Sequence, residues 1–102
     1  MPGFIQTITY TTSRIDEVRQ LNEDYRARRM ADGADLRPVQ VTLCTDHEVP
    51  NRYTVLVEFN SYEDAMANSN HPATSEFAQQ MQKLCDGPPT FVNLDVVERL
   101  QP

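Results

Sequence analysis

The order of periodicities along this chain restricts its fold more than any single residue does. Four stretches carry the apolar spacing and β-branched or aromatic residues of strands, and two carry apolar residues three and four apart, the period of a helix. They follow one another as strand, helix, strand, strand, helix, strand. Few arrangements satisfy that order. Each strand–helix–strand unit needs a right-handed crossover, and the two central strands are joined by a short hairpin.

The punctuation between these stretches agrees with the reading. The segment FIQTITYT, residues 4–11, is a strand by composition. Ser13 then offers a helix N-cap, with Asp16 three residues on as an imperfect capping box. Ile15, Val18, Leu21 and Tyr25, continued by Met30 or the stem of Arg29, form one apolar stripe. Asp16 and Glu17 open this helix and Arg26, Arg28 and Arg29 close it, as the helix dipole favours. Gly33 supplies its ending, so the helix is predicted over residues 14–32. Strands are predicted over 39–45 and 53–59, joined by the polar hairpin 46–52. A second helical region over 61–85 starts at Asn60 or Ser61, either of which can cap it. Pro72 biases His71 away from helical geometry, so this region is predicted to break at 68–72. A last strand covers 90–99. The chain is thus read as one α+β domain over 1–102, of ferredoxin-like βαββαβ type. Its four-stranded antiparallel sheet has strand order 4-1-3-2, with both helices on one face.

Sorting strand residues by parity gives two unlike faces. One collects Ile8, Tyr10, Val39, Val41, Leu43, Tyr53, Val55, Val57, Phe59, Val92, Leu94 and Val96, and is expected under the helices. The other is mixed: Ile5, Leu56, Phe91 and Val97 stand among Thr7, Thr9, Gln40, Thr42, Cys44, Thr54, Glu58, Asn93 and Asp95. Contiguous apolar groups of that kind are not left in water. A homodimer through this sheet face, centred on Ile5, Leu56, Phe91 and Val97, is the expectation. Glu58 and Asp95 share the face and are expected to pair with Arg37, Arg99 or a partner residue.

Charge narrows the choice of partners. The net charge is −6; residues 13–37 hold six Arg against six acids, so the whole excess lies elsewhere. Without a basic stripe, neither nucleic acid nor an anionic membrane is an expected partner. No secretory leader or apolar run of spanning length is present, which points to the cytoplasm. Cys44 and Cys85 have no metal spacing and are read as small buried thiols. Asp46-His47-Glu48 offers one imidazole in an exposed hairpin, too little for a metal site. No glycine-rich phosphate loop, nucleophile elbow or HExxH is present, so no cofactor is expected.

The third strand running into the broken second helix, YTVLVEFNSYEDAMANSNHPATSEFAQQM at residues 53–81, resembles the dimeric α/β-barrel superfamily. The likeness of pattern extends over residues 4–99. It points to the antibiotic-biosynthesis monooxygenase-like and stress-responsive members, in a subfamily of unknown function. The resemblance implies two ferredoxin-like protomers packed sheet to sheet. The haem-degrading members use a Trp, and this sequence has none, so their catalytic set does not carry over. The function expected is small-molecule binding in a pocket between helices and sheet. The alternative is a cofactor-independent monooxygenase or isomerase acting on an aromatic or polyketide-like compound.

His71, at the helix break beside Asn68 and Asn70, is the first candidate for acid–base chemistry, although it can equally cap the restarted helix. Tyr10, Tyr25, Tyr53 and Tyr62 could set phenols around an aromatic ligand, and Met30, Met66 and Met81 could line an adaptable cavity. The predicted ligand-binding set is Tyr10, Tyr25, Tyr62, Met66, Asn68 and His71.

Overall fold

The computed structural model describes residues 3–31 and 38–102. Strand β1 (Phe4–Thr11) leads into helix α1 (Ile15–Ala31); β2 (Gln40–Thr45) and β3 (Arg52–Phe59) form a hairpin; α2 (Tyr62–Ser69) and α3 (Pro72–Leu84) precede β4 (Thr90–Asp95). The sheet order is β2-β3-β1-β4, antiparallel throughout. This is the predicted 4-1-3-2 order read from the other edge.

The break in the second helical region occurs where Pro72 requires it. Ser61 caps α2, its hydroxyl accepting from the Asp64 amide at 3.1 Å. Asn70 ends α2, His71 is extended (φ −72, ψ 136), and Pro72 opens α3, where its missing amide hydrogen costs nothing. At the start of α1 the expectation needs correcting. Arg14, not Ser13, is the residue ahead of the first turn, its carbonyl accepting from the Glu17 and Val18 amides. The hydroxyl that works there is Thr12, which accepts from the Arg14 amide and donates to the Leu84 carbonyl. Thr12 is fully buried, so one side chain ties the β1–α1 corner to the end of α3. Of the two alternatives for the stripe, Arg29 is buried and Met30 exposed. Gly33 and Arg37 lie outside the described residues.

Phe4, Phe59 and Ala65 form the core cluster, with Val57 and Met66 packed against it. Phe4 and Phe59 are paired across β1 and β3, so their face lies under the helices. Register then assigns the rest. Phe4 faces Asp95, Gln6 faces Asn93 and Ile8 faces Phe91. Phe91, Asn93 and Asp95 are therefore on the helix side, and Val92 and Leu94 join Ile5 and Leu56 on the open side. This inverts the parity read from the sequence for β4. It also separates Glu58 from Asp95; Glu58 alone is on the open face, paired with Arg99 at 2.7 Å. β4 ends at Asp95, and the amide of the next residue, Val96, donates to the Gly3 carbonyl at 2.9 Å. Val97, expected inside the strand and at the interface, is 91% exposed beyond it.

The molecule is thin, 38 × 35 × 20 Å between its outermost Cα atoms, room for one sheet and one helical layer. Its accessible surface is 7202 Å². A monomer of 11.7 kDa is expected to expose about 5,900 Å². The excess, about 1,300 Å², has visible sources. Every residue of β2 and β4 is exposed. Cys44 and Cys85 are free thiols, and Cys44 is exposed on β2 where a buried thiol was expected.

Candidate functional site

The six sequence-predicted residues fall into three places. Tyr25 on α1, Asn68 near the end of α2 and His71 at the α2–α3 break lie in one region, where α1 packs against α2 and α3. The Tyr25 hydroxyl is 2.7 Å from Thr74 Oγ1, and its ring is 4.5 Å from that of Phe77. Arg29, one turn along from Tyr25, donates from Nη2 to Asn68 Oδ1 at 3.1 Å. His71 accepts the Ala73 amide at Nδ1, 3.0 Å away, so it caps α3. Tyr62 and Met66 are nearby on α2, over the end of the sheet. The Tyr62 ring meets Phe4 edge-on at 5.4 Å, and Met66 packs on the core cluster.

Tyr10 stands apart. Six residues of strand separate it from Phe4, about 20 Å, and the length of α3 separates it from His71 by a similar span. It is 3% exposed, stacked on Tyr53 at 6.0 Å, and its hydroxyl has no hydrogen-bond partner. Burial pushes its phenol up to about 12, with smaller contributions from Cys85 and Tyr53. Burial likewise raises the Cys85 thiol, aided by Asp86. Because the folded-state value of Tyr10 lies above the ordinary 10.0, its stability contribution is intact below pH 10 and lost as pH rises through 12. Tyr10→Phe should therefore leave stability at pH 7 unchanged or higher by about 1 kcal/mol, since an unpaired buried hydroxyl is costly. It should also remove a late phenol ionisation from the ultraviolet titration of the wild type. Destabilisation by Tyr10→Phe would show that the hydroxyl has a partner.

Between these places, the helix-side floor is less fully covered than at its ends. Gln6, Ile8, Val55 and Val57 form the middle of the sheet under the helices and are only half-buried, while Phe4, Phe59 and Tyr10 seal its two ends. Two recesses lie elsewhere on the surface. One of about 400 Å³ runs between α1 and β2, lined by Asp16, Arg19, Gln20, Asn22, Glu23 and Leu43. Another of about 430 Å³ sits at the end of the sheet, between Glu58, Ser61 and Arg99. Neither is lined by any of the six predicted residues.

The hairpin Asp46-His47-Glu48 is an ordinary turn. Asp46 accepts the Glu48 and Val49 amides and pairs with Arg52; these bonds, the two amides first, hold its carboxyl below the usual range. His47 is almost fully exposed. Among the described residues no group of three His, Cys, Asp or Glu could hold a metal ion, and no helix is long and apolar enough to cross a membrane.

Sequence reasoning missed Arg29 as a member of the helix junction, although its spacing of four from Tyr25 puts the two on one face of α1. Thr74 and Phe77 lie on the α3 face that meets Tyr25, a pairing that only the packing of the two helices reveals. It also missed the pairing of Gln6 with Asn93 on the helix-side floor, where Gln6 Nε2 donates to Asn93 Oδ1 at 3.0 Å.

No protein-family model matches the sequence. No curated protein matches it either. Solved structures do match. A proposed antibiotic biosynthesis monooxygenase of Caulobacter crescentus is 19% identical, with a TM-score of 0.75 over 95% of this chain and 92% of that one. A conserved protein of Methanosarcina mazei superposes with a TM-score of 0.76 at 10% identity, over 92% of each chain. A variant of SnoaB, a cofactor-independent oxygenase of Streptomyces nogalater, gives a TM-score of 0.72 at 15% identity over 98% of each. These likenesses span nearly the whole of each chain compared. The chain has the ferredoxin-like fold of the antibiotic biosynthesis monooxygenase-like proteins.

Proposed function

We propose that this chain is a small-molecule-binding protein that works as a homodimer, closed through the open sheet face, with its ligand held between helices and sheet. The observation that carries this reading is the protomer's incompleteness. Its helix-side floor is buried at both ends and only half-buried in the middle, and its other face exposes Val92 and Leu94 beside half-buried Ile5 and Leu56. A surplus of about 1,300 Å² of surface is of the order that one partner loses in a stable interface. Tyr25, Asn68 and His71 reach the ligand from the helices, with Tyr62 and Met66 at one end and Tyr10 at the other. No cofactor is needed for binding of this kind.

A second reading, a cofactor-independent monooxygenase or isomerase acting on an aromatic or polyketide-like compound, draws support from the likeness to SnoaB. It would use His71 as its acid–base group. Neutral imidazole accepts a proton at one nitrogen and donates at the other, and Nδ1 is already engaged by the Ala73 amide. Nε2 would then face the ligand.

Two variants of His71 separate capping from ligand contact. His71→Asn retains an N-cap acceptor and should preserve thermal stability, whereas His71→Ala should cost about 1 kcal/mol. If His71 touches the ligand, both variants lose affinity alike. Mass spectrometry of compounds released from the purified protein supplies the ligand for that measurement. Wild-type affinity in His71→Asn would remove His71 from the site, and protein that carries and binds no small molecule would overturn the binding reading.

A further inference from the structure

We infer that the middle of the helix-side floor recognises a neutral, planar ligand whose edge carries a hydrogen-bond donor beside an acceptor, as in a lactam. The inference rests on the binding reading above and names the ligand chemistry of that same site.

Gln6 and Asn93 come from opposite ends of the chain and are brought side by side by the β1–β4 register. Their carboxamides share one hydrogen bond, Gln6 Nε2 to Asn93 Oδ1 at 3.0 Å. A primary amide has two N–H donors and a carbonyl with two lone pairs. After that bond, Gln6 keeps one donor and its Oε1 acceptor, and Asn93 keeps both donors. The pair thus presents donors and an acceptor together, the complement of a lactam edge. Being already bonded to each other, the two side chains are partly ordered before a ligand arrives, which lowers the entropy cost of using them.

The surroundings specify the rest. Phe91, the next β4 residue on this face, pairs with Ile8 and is 55% exposed, leaving an aromatic ring face open beside the carboxamides. Ile8, Val55 and Val57 continue the floor as a half-buried apolar surface. A flat ring can lie on this surface while its polar edge meets Gln6 and Asn93. Asp95, two residues from Asn93 on the same face, and the net charge of −6 disfavour an anion. The carboxamides themselves bring no compensating positive charge.

The test uses full-length wild-type protein, titrated with 2-quinolone, with quinoline (acceptor only) and with quinoline-2-carboxylate (anionic), and followed by proton–nitrogen spectra that include side-chain amide signals. 2-Quinolone should move the Gln6 and Asn93 signals and bind at least about tenfold more tightly than either control. Gln6→Glu, which removes the Gln6 donor, breaks its bond to Asn93 and adds charge, should weaken it by about tenfold or more, as should Phe91→Ala. Circular dichroism checks that both variants remain folded. Equal affinity for the three probes, or for Gln6→Glu and wild type, would overturn the inference. Shifts confined to Tyr25, Asn68 and His71 would overturn it while leaving the binding reading in place. Absence of any shift would also overturn it, and compounds released from the purified protein would then decide the binding reading separately.

Discussion

Replacing Leu56 with Lys should turn the proposed dimer into a monomer, halving the molar mass seen by light scattering at micromolar concentration. Leu56 sits in β3 on the open face, paired with Thr7 and Thr42. Ile5 is its diagonal neighbour on β1, and Val92 and Leu94 follow on β4 beyond Thr7 and Ile5, so apolar residues and threonines alternate across this face. A two-fold contact through this face brings the patch against its own copy, because self-association through one surface is isologous. A lysine there places two ammonium groups in a desolvated contact without partners, at a cost of several kcal/mol. Association should weaken by at least about a hundredfold, on the scale of central interface residues. The register sharpens the test. Leu94→Lys should act like Leu56→Lys, whereas Phe91→Lys, on the other face, should leave the mass unchanged. The opposite outcome for that pair would mean that the β4 register is wrong.

Phe59→Ala should lower stability by about 3–5 kcal/mol, the range for truncating a buried phenylalanine. Phe59 is 3% exposed, pairs with Phe4, and packs in the cluster that holds α2 on the sheet. So few residues are fully buried here that no second core could absorb the cavity. For a domain of this length the melting temperature should fall by roughly 15–25 °C. A loss below about 1 kcal/mol would mean that the protomer is held together mainly by its partner and not by this cluster.

What the sequence disclosed, and what it hid, divides by range of interaction. The Ser61 cap, the break at Pro72 and the strand–helix order depend on residues within a turn or two, and each was legible. Strand order followed because crossover handedness leaves few options. The facing of β4 was not legible. Phe91 lies on one parity and Val92 and Leu94 on the other, so apolar spacing favours neither strongly. The choice is made by pairing with β1, more than eighty residues away, as in the Gln6–Asn93 bond. Asp95 is the last strand residue, opposite Phe4 at the start of β1, an alignment that β4 does not encode. The site was legible in part for the same reason. Tyr25, Asn68 and His71 are set by helix faces and a helix break, and the contacts of α1 with Thr74 and Asn68 place them in one region. Tyr10 was grouped with them by residue type alone, and position along the strand puts it about 20 Å from Phe4, at the other end of the sheet.

Two protomers are proposed to close into one assembly through the open sheet face. Sedimentation equilibrium of the wild-type protein at micromolar concentration tests it most directly, because mass is read without reference to ligand or activity. A single species of twice the chain mass is the predicted result. A monomer under those conditions, with Ile5, Leu56, Val92 and Leu94 open to solvent, would contradict it.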